Sequence, residues 1–376
     1  MIIGIDASRI RSGGGVAHIK GIIKNFQSYN HSISKVHIWS YRKLLDDLPT
    51  ESWLVKHSNF LLNKSLSLQI IWQLFLLDRE LKNHRCDILF SLDASTFCFF
   101  DPMVVLSQDL LSYEPNIMSK YGFGLKRLRL ILILFLQNAA FRRSAAVLFL
   151  SKYASNLIQK SSGIIKNFKI IPHGIDQCFI DRGLYSISRD YKCNPKKLIY
   201  ISNAAPYKNQ LQVIEAVNFL IKNGYDLSLN LIGGGHGKYQ KLLSEKIQEV
   251  DPGHNWLKQY DFVNRQELFT HLSNADIFIF ASSCENLPVT LLEGMAFSLP
   301  IVCSDRGPMP DVLKDGGLYF DPDDIKSLVN ALEQIIESPF LRTNLSNKAR
   351  SIACKYTWER CSFSSFKSIT QLLQNW

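Results

Sequence analysis

The 376-residue sequence predicts an α/β protein built from two open, doubly wound, Rossmann-like domains. Three observations carry this prediction. Short apolar runs of strand length alternate with longer amphipathic stretches, the pattern of parallel strands covered by helices on both faces. The alternation breaks once, at Pro172-His173-Gly174-Ile175-Asp176 and the polar stretch Gln177–Lys197, and then begins again. The length suits two cores of ordinary size rather than one. Apolar residues at 46% and charged residues at 20% exclude a disordered chain, a collagen-like repeat and a coiled coil.

The first alternation opens with a strand at Met1–Asp6, a glycine loop Ser12-Gly13-Gly14-Gly15 and a helix over Val16–Tyr29. Strands follow at Val36–Ser40, Ile88–Ser91 and Val104–Ser107. Leu125–Arg142 has the length and pattern of a helix. Ala146–Leu150 is a strand, Lys152–Lys160 a helix and Phe168–Ile171 a strand. The second alternation has strands at Leu198–Ser202, Leu227–Ile232, Gln259–Val263, Ile277–Ala281, Pro300–Cys303 and Leu318–Phe320. Its helices fall at Asn209–Asn223, Lys238–Glu249, Arg265–Ser273, Pro288–Phe297, Ile325–Glu337 and Phe340–Lys355. A last helix, Thr357–Gln374, has no strand after it. These boundaries divide the chain into residues 1–178 and 179–355, with 356–376 expected to pack back towards the first domain. Ligands of such sheets sit at the carboxyl ends of the strands, so a cleft between the domains is the expected site.

Charge is unevenly distributed. Residues 1–178 hold 22 basic and 12 acidic side chains, whereas 179–376 hold 21 of each, so the whole net charge of +10 lies in the first half. An anionic partner is expected there: a phosphate-bearing substrate or a membrane face. Nucleic acid is a poor fit, because no recognisable module accompanies the charge. Met1–Asp6 lacks the basic start and long apolar run of a secretory signal. The most apolar stretch, Leu130–Leu136, is far shorter than the ~20 residues of a membrane span. The cysteines include no C-x-x-C pair and no neighbouring histidine cluster, so the sequence predicts buried, reduced thiols in a cytosolic protein and no metal.

The densest motif is Ala281-Ser282-Ser283-Cys284-Glu285-Asn286-Leu287-Pro288-Val289-Thr290, continuing to Glu293-Gly294-Met295-Ala296. Glu285 closes a strand-to-helix loop and Pro288 sits where a helix would start. Backbone N–H groups at Val289 and Thr290 would then offer an anion site suited to a diphosphate. Glu293 follows just over one turn into that helix, so two carboxylates could grip two sets of hydroxyls on one ligand. Gly233-Gly234-Gly235-His236-Gly237 is a glycine turn between a strand and a helix, but it lacks the later glycine and the acidic partner of a dinucleotide fingerprint.

This motif, with Leu299-Pro300-Ile301-Val302, Ser304–Val312 and Gly316–Phe320, strongly resembles retaining glycosyltransferases of family 4. The resemblance is specific over about residues 198–322 and weaker across most of the chain. It implies the GT-B fold and a hexosyltransferase activity that needs no metal. It places Glu285 on the hydroxyls of the donor sugar and Glu293 on the ribose of the nucleotide, with Asn286, Leu287, Pro288, Val289 and Thr290 lining the donor. Lys208 in Ser202–Asn209 falls on the family's lysine, a cation for the departing diphosphate. The usual arginine is missing, with Ser202 or Asn203 in its place, which weakens neutralisation of the diphosphate unless another cation, such as Arg306 or Lys238, compensates. Gly14 and Gly15 match a loop that donates backbone N–H groups to the diphosphate. Tyr260-Asp261-Phe262 matches the segment facing the base, although Phe262 also fits a core position. Where many members carry a polar group aimed at the reacting sugar, this chain has Ser107-Gln108-Asp109, which makes Asp109 the nearest catalytic candidate. His18, one turn into the first helix, reads as a satisfied helical histidine.

The resemblance implies transfer of one sugar, with mannose a candidate, from a nucleotide-diphosphate sugar to a polyprenyl-diphosphate-linked glycan or similar saccharide. It is closest in kind to enzymes of bacterial surface polysaccharide and O-antigen synthesis. Leu125–Leu136, with Lys126, Arg127 and Arg129 at its start, could lie on an anionic membrane, at the cytosolic face of the inner membrane, or be a buried helix with a basic start. A sugar-nucleotide epimerase of the same fold and a non-catalytic binding subunit are the alternatives. Turnover of the donor without an acceptor marks the first, and tight donor binding without turnover marks the second.

Overall fold

A computed structural model describes residues 1–11, 13–27, 32–114, 117–118, 122, 124–185 and 197–374. It divides into two compact units, Met1–Gly174 with Thr357–Trp376, and Ile175–Tyr356. The sequence placed the corresponding boundaries at 178/179 and 355/356.

The first unit holds seven parallel strands: β1 Ile2–Asp6, β2 Lys35–Trp39, β3 Leu54–His57, β4 Ile88–Ser91, β5 Met103–Ser107, β6 Ala146–Phe149 and β7 Phe168–Ile170. Their order is β3-β2-β1-β4-β5-β6-β7. β1 lies in the middle of the sheet, and Ile3 and Ile5 are fully buried. Between them a Cβ on Gly4 would stand 2.2 Å from Leu81 and 3.2 Å from Trp39, so only glycine lets the covering side chains close on this strand. The strand β3 and the helices Arg42–Asp46, Leu66–Phe75 and Leu77–Asn83 went unread in the sequence. Each is short, and none carries a long periodic pattern.

One further expectation is corrected here. Gly13, Gly14 and Gly15 are the first turn of the helix Gly13–Lys24 rather than a loop before it, with Gly13 at φ 64° in a backbone conformation that glycine adopts without strain. Its neighbour Ser12, and Tyr29 at the expected end of that helix, lie outside the described residues. The last helix, Trp358–Gln374, belongs to the first unit. Ser362 Oγ donates to Ile22 O at 2.7 Å, and the Trp358 indole fills the space where a Gly21 Cβ would stand, at 2.2 Å.

The second unit holds six parallel strands: β8 Lys197–Ile201, β9 Ser228–Ile232, β10 Leu257–Tyr260, β11 Ile277–Phe280, β12 Ile301–Ser304 and β13 Leu318–Phe320. Their order is β10-β9-β8-β11-β12-β13. β10 ends before Asp261, earlier than the apolar reading placed it. The helix Gln177–Tyr185 occupies the start of the stretch read as polar and structureless, and Arg350 holds it by donating to Ile180 O at 2.9 Å. In both sheets the order reverses beside the first strand of the unit. Loops leaving the two strands at such a point diverge and open a crevice at their carboxyl ends.

Candidate functional site

In the second unit the reversal falls between β8 and β11, which pair through Leu198–Ile277 and Ile199–Phe278. The loop after β8 carries Lys208 and the loop after β11 carries Glu285. Sheet topology thus makes neighbours of residues 77 positions apart in sequence, and Lys208 Nζ forms an ion pair with Glu285 Oε1. Both side chains are nearly enclosed, at 11% and 16% exposure, so the pair is shielded far more than a surface pair. The Lys208 loop is fixed from several sides. Tyr200 OH donates to Lys208 O at 2.7 Å, and the Ser283 N–H and hydroxyl both donate to Tyr207 O. Asn209 follows in a left-handed conformation, φ 52°, with its side chain donating to Ala281 O at 2.7 Å. Gly307, at φ 60°, brings its Cα side to 4.0 Å from the Glu285 N–H, measured from where a Cβ would stand.

Pro288 ends the Glu285 loop as the N-cap of the helix Val289–Ala296. One expectation changes here: the Val289 N–H turns back to Leu287 O at 3.0 Å and is not presented outward. The Thr290 N–H has no carbonyl one turn earlier in the helix and remains the donor at this end. Glu293, on the same helix, is pushed up to about 8. Burial is the main cause and the Asp176 carboxylate adds to it, while Arg265 opposes both. Arg265 is itself paired with Asp176. A carboxyl kept partly protonated at neutral pH can donate as well as accept a hydrogen bond.

The flanking residues separate into those free to meet a ligand and those already engaged. Ser202, one of the two residues in the arginine's place, is buried and bonded to Gln210 Nε2 at 3.0 Å, whereas Asn203 is exposed. Arg306 does not supply the missing cation, because Asp305, Asp321 and Asp323 surround its guanidinium at 3.5, 2.6 and 3.5 Å. Lys238 is exposed at the start of its helix. Asp324 caps the helix Ile325–Glu337 by accepting from Lys326 N at 2.9 Å. The glycine turn has a packing explanation: a Cβ would stand 2.5 Å from Ser202 O at Gly233, 2.3 Å from Asp261 Oδ1 at Gly234 and 2.8 Å from Ala204 Cβ at Gly235. Phe262 is 75% exposed, which removes the core reading.

In the first unit the reversal falls between β1 and β4. A Cβ on Gly15 would stand 2.8 Å from Gln108 Oε1, so the glycine turn and the Ser107-Gln108-Asp109 loop meet. Asp109 is exposed, and its Oδ1 accepts from Leu111 N at 3.0 Å, which shapes the turn. Sequence reasoning missed Arg9 and Asp93, an ion pair at 3.3 Å across this reversal, with Arg9 also donating to Ser95 O at 2.6 Å. It also missed the partner of His18. His18 Nδ1 shares a hydrogen bond of 2.8 Å with His173 Nδ1, both rings are buried, and burial lowers both, His173 to about 3. The Pro172-His173-Gly174 break was the available signal, because a polar ring beside a chain reversal usually has a partner.

With this geometry described, comparison with known proteins is informative. Residues 188–352 match the sequence pattern of the family described as Glycosyl transferases group 1. The matched stretch falls within the second unit. The O-antigen chain mannosyltransferase B of Escherichia coli is 24% identical over 164 residues, which is 44% of this chain and 43% of that protein. The matched part is therefore under half of that relative's length. Among solved structures, sucrose-phosphate synthase from Thermosynechococcus elongatus superposes with a TM-score of 0.80 at 13% identity, over 100% of both chains. Anabaena HepE in complex with UDP and glucose gives 0.72 at 18% identity, over 99% of this chain and 100% of that one. The fold is GT-B, two Rossmann-like units, and the stretch that matches the family lies in the unit that holds Lys208, Glu285 and Glu293.

Proposed function

We propose that the chain is a retaining glycosyltransferase that moves a hexose from a nucleotide-diphosphate sugar to a lipid-linked saccharide in surface-polysaccharide synthesis. The Lys208–Glu285 pair at the strand-order reversal carries this reading. A departing diphosphate accumulates negative charge, and Lys208 with the Thr290 N–H supplies positive charge already held in place. Glu285 keeps Lys208 in position and offers a carboxylate oxygen to the sugar hydroxyls. Glu293 takes the ribose hydroxyls. Asn203 and Asn286 complete the donor contacts in this unit, and Gly14, Gly15 and Asp109 are the residues proposed for the first unit. The acceptor hydroxyl bonds to the anomeric carbon on the face from which the diphosphate departs, and the leaving phosphate takes its proton, so neither a separate base nor an enzyme nucleophile is required and no metal enters the step. The O-antigen relative makes mannose the first sugar to test.

An acceptor held in a membrane suits the helix Leu125–Arg143. Leu125, Leu128, Leu132 and Phe135 are 53–85% exposed and spaced by three and four residues, which puts them in one stripe. Lys126 and Arg129 are exposed beside it. Among the described residues no helix is long and apolar enough to cross a membrane. The stripe and its cations instead suit the anionic cytosolic face of a bilayer, where the helix would lie flat.

The test is transfer of radiolabelled sugar from nucleotide donors to a lipid-linked acceptor extract. Glu285→Gln should retain the folded circular dichroism spectrum and lose about 100-fold or more in turnover. Excess EDTA should leave wild-type transfer intact. Wild-type turnover in Glu285→Gln removes this residue from the site, and a loss in EDTA that a divalent ion restores overturns the metal-free step.

A further inference from the structure

We propose that His37, His57 and His84 form a binding site for a divalent transition-metal ion of the zinc class, in the first unit and apart from the transfer chemistry. Sequence spacing hides it, because the three residues are separated by 20 and 27 positions. Sheet register assembles the site. Trp39 on β2 pairs with His57 at the end of β3, and His37 lies two residues before Trp39, so all three rings project from one face. The helix Leu77–Asn83 covers that face and delivers His84 from its last turn.

One ring nitrogen from each histidine lies within 4.8 Å of the other two. His37 Nδ1 and His57 Nε2 are 2.9 Å apart, and the three ring centroids are separated by 4.4 to 5.1 Å. The Trp39 indole stacks on His57 at 4.7 Å and restricts its rotation. Zinc–imidazole bonds of about 2.0–2.1 Å in a tetrahedral site would set the nitrogens a little over 3 Å apart. The rings would reach this by small side-chain rotations. A hydrogen-bonded pair requires only two imidazoles, and His84 brings a third ring nitrogen within 4.8 Å of the other two.

The donor set also selects the ion. All three donors are neutral nitrogens, which suit zinc, nickel or copper and not the oxygen-seeking magnesium or calcium. His37 is buried, while His57 and His84 are partly exposed, which leaves a path for entry and room for water as a fourth ligand. Glu80 Oε2, 3.8 Å from His84 Nε2, is placed to steady that ring. A bound ion would tie β3, which lies at the edge of the sheet, to the helix that covers it.

The test uses the untagged full chain, stripped with EDTA, dialysed and titrated with Co²⁺ or Zn²⁺ alone. One Co²⁺ per chain should give the visible bands of a tetrahedral nitrogen site. Zn²⁺ at about 100 times its dissociation constant should raise the melting midpoint by about 5 °C, and Mg²⁺ should not. His84→Ala removes one ligand at a helix end and should weaken Co²⁺ binding at least tenfold. Zn²⁺ should also protect His57 and His84 of the wild-type chain from diethyl pyrocarbonate, a readout that needs no variant. Absence of a saturable one-to-one signal, equal affinity in a folded His84→Ala, or unprotected histidines would each overturn the proposal.

Discussion

Replacing Glu293 with Gln separates two effects of one carboxyl. Its folded-state value of about 8 lies above that of an ordinary glutamate, so the folded chain holds a proton that the unfolded chain releases above about pH 4.5. Stability from this group is therefore complete at low pH and is lost as pH rises through 8. Glu293→Gln should melt higher than wild type at pH 9 and gain less at pH 5. Donor binding should follow the opposite course. The ionised carboxylate accepts both ribose hydroxyls, so wild-type affinity for the free nucleoside diphosphate should rise about tenfold between pH 7 and 9, and the Gln variant should show no such rise. Calorimetry at the two pH values checks this, and an equal pH profile in both proteins removes Glu293 from the ribose. Lys208→Met keeps the stem and removes the charge, and it should weaken diphosphate binding by about 10- to 100-fold. Both glutamates and the lysine were named through the resemblance to family 4, since a lone glutamate pair or a lysine at a helix start is more often surface decoration. The pairing of Lys208 with Glu285 and of His18 with His173 could not be named from sequence, because only strand order and a chain reversal bring those residues together.

The helix Leu125–Arg143 is the element whose role the structure clarifies most. Its length was legible in sequence, but its apolar residues surround it so evenly that periodicity did not show which side faces the core. Leu130, Ala140 and Phe141 are buried, and the stripe from Leu125 to Phe135 remains outside. Changing Lys126, Arg127 and Arg129 to Gln should reduce binding to acidic liposomes by about 3 kcal/mol at low salt, with less effect near 0.5 M, where the Debye length is only a few ångströms. Cosedimentation reads the loss, nucleotide binding should be unchanged, and sedimentation equal to wild type would show that the cations do not meet the membrane. Longer strands were legible because both of their faces are buried and they read as unbroken apolar runs. The strand Leu54–His57 was not, since Lys56 and His57 give it no apolar run and it lies at a sheet edge. The helix Gln177–Tyr185 was hidden by polar residues after it.

For the whole molecule, the seam between Gly21 and Trp358 ties the chain's two ends into one unit. Gly21→Ala should drive a methyl group into the indole and destabilise the first unit by about 1–3 kcal/mol. Thermal unfolding should then show an earlier loss of the tryptophan signal, while the nucleotide still protects the second unit, and a single unchanged transition would contradict the seam. Two doubly wound units could be anticipated from the restart of the alternation. The return of the last helix was anticipated only because no strand follows it. That return also bears on biosynthesis. The first unit is made of residues 1–174 and 357–376, with the whole second unit between them. A ribosome therefore completes every strand of the first sheet early, and makes the helix that seals it only after the whole second unit. During that interval the second unit can fold as one uninterrupted segment, while the apolar face around Ile19, Ile22 and Phe26 stays open. Residues 357–376 thus complete the first unit only after the second has been made.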